Sequence, residues 1–170
     1  SPDRHPPSER GWTAPGRGRL GRNWFSPPLQ GIYASLILRP SIPPHEAPRM
    51  TLLSSVAVAE AILGLTPLAV KIKWPNDILV GGRKIAGILT EISAGMDAVD
   101  HMIVGLGLNV NIPADAFPRE IRHQATSILA ETGVFSSRIA LLRRCLEYYE
   151  SYYDIFKTKG FDPVMDRWKS

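Results

Sequence analysis

The stretch DILVGGRKIAGILTEI, residues 77–92, leaves little freedom in local structure. Two strand-forming runs flank a Gly-Gly pair, which predicts an antiparallel hairpin turning at Gly81-Gly82. A two-residue hairpin turn needs backbone conformations that glycine adopts without a Cβ clash. Upstream, AVKIKW predicts a short strand with Val70, Ile72 and Trp74 on one face and Lys71 and Lys73 on the other, closed by the turn residues Pro75-Asn76-Asp77. Downstream, HMIVGLGLNVNI, residues 101–112, predicts a further buried strand broken by Gly105 and Gly107. A glycine inside a strand usually marks a bulge or a close approach by another group. From Gly31, GIYASLILRP predicts one more strand, ended by Pro40.

Helical spacing fills the rest. RMTLLSSVAVAEAILGL places Leu52, Leu53, Val56, Ala59, Glu60 and Leu63 at helical intervals, with Gly64 near the end. PREIRHQATSILAETG predicts a helix over 118–133 ending at Gly133. Ser136 or Ser137 can cap a following helix, in which Ile139, Leu142, Leu146, Tyr149, Tyr153 and Phe156 repeat up to Gly160. Strand, helix, several strands, then helices predicts an α+β fold with a mixed or antiparallel sheet covered by helices.

Composition narrows the class. With 170 residues, 44% of them hydrophobic, the chain can bury one core. A formal net charge of +4 allows an anionic ligand without arguing for DNA. A single cysteine, Cys145, excludes an internal disulfide framework and suits a reducing cytoplasm. No stretch reaches about 18 uninterrupted apolar residues, and SPDRHPPSERG has no signal-peptide core, so neither membrane span nor export is expected. Residues 1–15 are rich in proline and charge and read as irregular or disordered.

Four segments carry candidate chemistry. GRGRLGRNW, residues 16–24, sets Arg17, Arg19 and Arg22 among Gly16, Gly18 and Gly21, beside Trp24. Glycines free backbone N–H groups to approach an anion, and guanidinium forks grip phosphate or carboxylate. A solvated basic loop, or an arginine–glycine tract holding nucleic acid by charge, is the bland alternative. KWPND flanks its turn with Lys73 and Asp77, where Asn76, Asp77 and nucleotide phosphates can together hold Mg²⁺, although Asn and Asp also simply suit turns. In RKIAGIL, Lys84 stands one residue from a buried run and can point into a cleft. In GLGLNVN the asparagines either read a base edge or end the strand. The four histidines are scattered without ligand spacing, so no zinc site is expected. Cys145 and the tyrosines of LEYYESYYDIF read as helical packing residues.

In this order, GRGRLGRNWFSPPLQGIYASLILRP, KWPNDILVGGRKIAGILTEI and GLGLNVN resemble the catalytic domain of the biotin protein ligases, from about Gly16 to Ser170. The resemblance implies the biotin–lipoate ligase catalytic fold, like that of class II aminoacyl-tRNA synthetases. It also implies a biotin–[biotin carboxyl-carrier protein] ligase activity. Biotin and ATP form biotinyl-5′-AMP and pyrophosphate, and a lysine of a biotin carboxyl-carrier domain, from acetyl-CoA carboxylase or a related carboxylase, then takes the biotinyl group. Carried over motif by motif, Gly16, Arg17, Gly18, Arg19, Arg22, Trp24 and Gly87 would bind biotin and the adenylate. Lys84 would be the catalytic lysine on carboxylate and phosphate. Lys73, Asn76, Asp77 and Asn109 would bind ATP, with Asp77 on Mg²⁺ and Asn109 on adenine. A non-catalytic biotin- or nucleotide-binding module, or a basic RNA-binding domain, is the alternative.

The chain departs from the pattern at both ends. The glutamine expected just before GRGR is missing from SERGWTAPGRGR, and no serine- or threonine-asparagine biotin contact precedes it. Residues 16–170 are thus expected to be a partial catalytic domain, without the small C-terminal β-barrel and without a DNA-binding segment. A homodimer is allowed, and activity is expected to be weak.

Overall fold

The computed structural model describes residues 16–18, 21 and 23–169. Two short strands, β1 (Gly16–Arg17) and β2 (Asn23–Trp24), pair with each other. They lead into β3 (Gly31–Leu38), helix α1 (Ala47–Leu65), and strands β4 (Val70–Lys73), β5 (Asp77–Val80), β6 (Arg83–Ala94) and β7 (Val99–Asn109). Helices α2 (Ile128–Thr132), α3 (Arg138–Lys159) and α4 (Asp162–Lys169) complete the order. The large sheet runs β3-β7-β6-β5-β4 and is antiparallel throughout, so the expected α+β fold holds, with the antiparallel alternative realised.

Local chemistry accounts for the boundaries. Gly81 and Gly82 take φ of 56° and 81°, the positive values that a tight hairpin turn demands. The Ser127 and Ser137 hydroxyls accept from the Ala130 and Ala140 amides, capping α2 and α3. Gly133, left-handed at φ 72°, ends α2.

Alternation gives the sheet two unlike faces. Ile32, Ile78, Val80, Ala86, Ile88, Val104 and Leu108 turn towards α1 and α3, where Val58, Ala61, Ile62, Leu141 and Cys145 complete the core. Each buried valine, leucine or isoleucine among them contributes about 1.5–3 kcal/mol. The Thr51 hydroxyl of α1 donates to Thr90 of β6 at 2.8 Å, tying helix to sheet. By length and composition the segment Pro44–Leu65 could cross a membrane, but most of it is buried and it serves as the core helix. The other face carries, across one row, Tyr33, Gly107, Gly87, Asp77 and Lys73. Neither α1 nor α3 covers that row.

Two expectations need correction. The helix expected over 118–133 is only α2: residues 118–125 form turns, in which the Arg122 and Ala125 N–H groups donate to the Pro118 and Ile121 carbonyls, and the chain then leaves helical geometry to pair with β6. The Arg122 guanidinium donates to the Asp115 and Phe117 carbonyls at 2.6 and 2.9 Å, and Ala125 forms a parallel bridge with Lys84. Tertiary pairing here overrides helical spacing. Trp74, expected to share a face with Val70 and Ile72, is 70% exposed, because β4 ends at Lys73 and the alternation ends with it. The Trp74–Pro75 peptide is cis.

Candidate functional site

A β-bulge sets the site. Ile78 pairs with Ala86 and Leu79 with Lys84, which leaves Ile85 as an extra residue in β6. Without it, Lys84 and Gly87, three residues apart, would point to opposite faces. With it, both face the open side. The lysine's backbone is fixed as well: its N–H donates to the Gln124 carbonyl at 2.7 Å, and its carbonyl accepts from Thr126 N–H at 2.9 Å. The Lys84 ammonium then lies 2.6 Å from Asp77 Oδ1 and 5.0 Å from the centre of the Trp24 ring. Both charged side chains keep about a third of their surface exposed, so either can be drawn away by a bound ion.

The glycines explain how the indole reaches the sheet. Gly87 and Gly107 are direct cross-strand partners, and Trp24 lies on them. A Cβ at Gly107 would stand 2.7 Å from Trp24 Cε2. One at Gly87 would stand 2.9 Å from Lys84 Cε and 3.0 Å from the indole. This is the close approach that glycines within a strand predict. Gly16 pairs with Trp24 and Arg17 with Asn23, so the start of the arginine–glycine segment is tied to the tryptophan. Gly18 is described, and follows that pair directly. Arg19, Arg22 and the Arg17 side chain lie outside the described residues.

Two polar atoms near this floor are buried without a partner among the described residues, Trp24 Nε1 and Asn109 Oδ1. A buried, unpaired polar atom costs about 1–3 kcal/mol. The Asn109 amide N–H donates to the Thr126 carbonyl at 2.9 Å, which fixes the side chain and leaves its oxygen free to accept. Asn76 is used differently. Its side-chain amide donates to the Ile88 carbonyl at 2.7 Å and its backbone carbonyl accepts from Ile88 N–H at 2.9 Å, so it clamps the turn to β6. Asn111, also in the asparagine motif, exchanges bonds with Ser136 in both directions, at 3.0 and 2.9 Å. Lys73, opposite Asp77, is exposed and makes no ion pair among the described residues.

Residues 113–126 wall the site on one side and, with Arg83 and Ala130, border an open pocket of about 360 Å³ lined by Asp115, Phe117, Arg122, Ala125 and Thr126. Phe117 packs on Phe25, with ring centres 5.8 Å apart. Glu131 accepts from both Arg83, at 2.8 Å, and Thr126, at 2.6 Å, joining the hairpin to this wall. Sequence reasoning missed this network, because Thr126 and Glu131 sit in no motif and Arg83, the first residue of RKIAGIL, shows no partner in sequence. It also missed the bulge. Tyr33, at the other end of the row, has its phenol pushed up to about 12 by burial, an effect that Arg138 opposes. No cluster of three metal-ligating side chains occurs among the described residues.

The open face therefore combines a cation–carboxylate pair, an indole on a glycine floor and a free buried acceptor. Proteins of known kind resemble this chain in sequence and in fold. Residues 13–109 match the model of the biotin/lipoate A/B protein ligase family. The bifunctional ligase/repressor BirA of Bacillus spizizenii is 43% identical over 155 residues, covering 91% of this chain and 48% of that protein. A biotin–[acetyl-CoA-carboxylase] ligase of Paracoccus denitrificans is 34% identical over 159 residues, covering 90% of this chain and 65% of its own length. Among solved structures, a biotin protein ligase from Aquifex aeolicus in complex with biotin and ATP superposes with a TM-score of 0.78 at 33% identity, covering 90% of this chain and 62% of that one. The chain belongs to the biotin/lipoate A/B protein ligase family. It spans about half the length of the BirA protein it matches.

Proposed function

We propose that this chain carries the adenylation site of a biotin protein ligase, which joins biotin to ATP and passes the biotinyl group to a lysine of a biotin carboxyl-carrier domain. The observation that carries the reading is the placement of Lys84, turned by the bulge onto the glycine floor beside Trp24 and Asp77. Adenylation brings a carboxylate against a polyphosphate, and the two anions repel. A positioned ammonium offsets that repulsion and holds the charge that develops on the α-phosphate. Lys84 is placed for this, since a ligand carboxylate can take over from Asp77. The indole of Trp24 offers a flat apolar surface for the adenylate, and Asn109 Oδ1 can accept from the exocyclic amine of adenine.

On this reading Lys73 and Asp77, paired across β4 and β5, would take the β- and γ-phosphates. Asp77 is one carboxylate, which fits Mg²⁺, a cation usually held by one or two carboxylates together with substrate phosphates. When bound there, Mg²⁺ would neutralise phosphate charge. Arg17, Arg19 and Arg22 would offset the charge of the adenylate phosphate until the carrier amine attacks the carbonyl of the mixed anhydride and AMP leaves.

The reading is tested with labelled biotin, ATP and a purified biotin carboxyl-carrier domain. Label on the carrier lysine that requires both ATP and Lys84 supports it. Biotin binding without any ATP-dependent product favours a non-catalytic binding module instead.

A further inference from the structure

Strand β4 lies at an edge of the sheet, and its alternation is strict. Val70 and Ile72 pack against the core, and Lys71 and Lys73 stand exposed on the open face. Lys73 lies opposite Asp77. Lys71 lies opposite Leu79, which in turn lies opposite Lys84. Neither β4 lysine forms an ion pair among the described residues, and Asp77, the nearby acid, is engaged by Lys84 at 2.6 Å. Three ammonium groups therefore share one face with one carboxylate. Lysines on an edge strand often serve only to deter pairing with another sheet. That role does not require them to share a face with a third lysine that is in register with Lys71 across the sheet, as Lys84 is.

We propose that Lys71, with Lys73, receives the pyrophosphate released in adenylate formation. The proposal rests on the ligase reading above and adds to it a residue that the sequence motifs do not mark. In the step, a carboxylate oxygen of the acid bonds to the α-phosphorus. The bond from that phosphorus to the oxygen bridging towards the β-phosphorus breaks, and its electron pair stays on pyrophosphate. Negative charge thus accumulates on the β- and γ-phosphates, away from Lys84. Two strand spacings, about 10 Å, separate Lys84 from β4. A lysine stem from each side can reach across that gap. Lys71 would hold the leaving group without touching the acid, so its effect belongs to pyrophosphate and not to biotin.

Pyrophosphate alone, titrated calorimetrically into the 170-residue chain, tests this, with biotin titrated separately. Lys71 is exposed, so its replacement leaves the core intact, and circular dichroism checks that each variant folds. Lys71→Gln is expected to weaken pyrophosphate binding on the order of tenfold, the loss of one charge-assisted contact. Lys71→Glu should weaken it further, Lys71→Arg should retain most of it, and biotin binding should be unchanged in all three. Pyrophosphate binding that depends on Lys71 in a chain showing no biotin-dependent ATP–pyrophosphate exchange would support the polyphosphate site and sink the ligase reading alone. Equal pyrophosphate affinity in the wild type and Lys71→Glu, no binding by the wild type, or a parallel fall in biotin affinity overturns the proposal.

Discussion

Lys84 Nζ stands 2.6 Å from Asp77 Oδ1 and 5.0 Å from the Trp24 ring centre, because one extra residue in β6 turns the lysine to the open face. If that ammonium carries the charge of adenylation, Lys84→Ala should slow adenylate formation by about 10²–10³-fold, as does removal of a donor aimed at developing charge. Lys84→Arg should rescue little, since a planar fork does not replace a compact ammonium. Single-turnover formation of biotinyl-5′-AMP measures both, and an alanine variant at full rate would remove Lys84 from the mechanism.

Asp77→Asn separates stability from function. Both members of the pair are about a third exposed, so its loss should change the unfolding free energy by less than about 1 kcal/mol in urea melts. Adenylation should nevertheless fall about 10–100-fold, the usual loss when a group orienting a metal–phosphate site is removed. A melt that collapses while the rate holds would make the pair structural.

The glycine floor gives a contrast between neighbours. Gly107→Ala would drive a methyl group into Trp24, and a net loss of about 1–2 kcal/mol is expected once the gain in backbone order is subtracted. At Gly105 the added carbon meets nothing nearer than the Leu89 carbonyl at 3.4 Å, so Gly105→Ala should be near neutral. Urea unfolding of the two variants decides, and equal losses would mean that the indole does not rest on Gly107.

Burial pushes the Cys145 thiol up to about 12 and the Tyr149 phenol up as well. In the unfolded chain the thiol loses its proton near pH 8.5 and the phenol near pH 10, whereas the native state keeps both protons to higher pH. The native state then binds more protons than the unfolded one, so stability should fall as pH rises above about 8.5. Below that pH both states are protonated, and these groups contribute no slope. Native Cys145 should also resist iodoacetamide at pH 8 and react once urea unfolds the chain. Rapid native alkylation would contradict its burial.

The sheet was legible because its signals are local: Gly81-Gly82 names its turn, and the alternation of VKIK and GIYASLIL names a face. The candidate site was legible as residue types, of which Lys84, Asp77 and Trp24 lie together. What could not be read was their relative direction. Whether Lys84 faces the same side as Gly87 depends on Ile85 being an unpaired insertion, which is a property of strand pairing and not of β6 alone. The failure at 118–133 has the same origin, for Ala125 answers to Lys84, a partner distant in the sequence. Asn76 shows the converse, a motif residue whose amide is spent on the Ile88 carbonyl.

Biotin-dependent exchange of labelled pyrophosphate into ATP tests the central claim most directly, because it reports adenylate formation without needing the carrier protein. Exchange that requires biotin and disappears in Lys84→Ala is the expected result. A folded chain that binds ATP but exchanges no pyrophosphate with biotin present, or exchanges it equally well without Lys84, would contradict it.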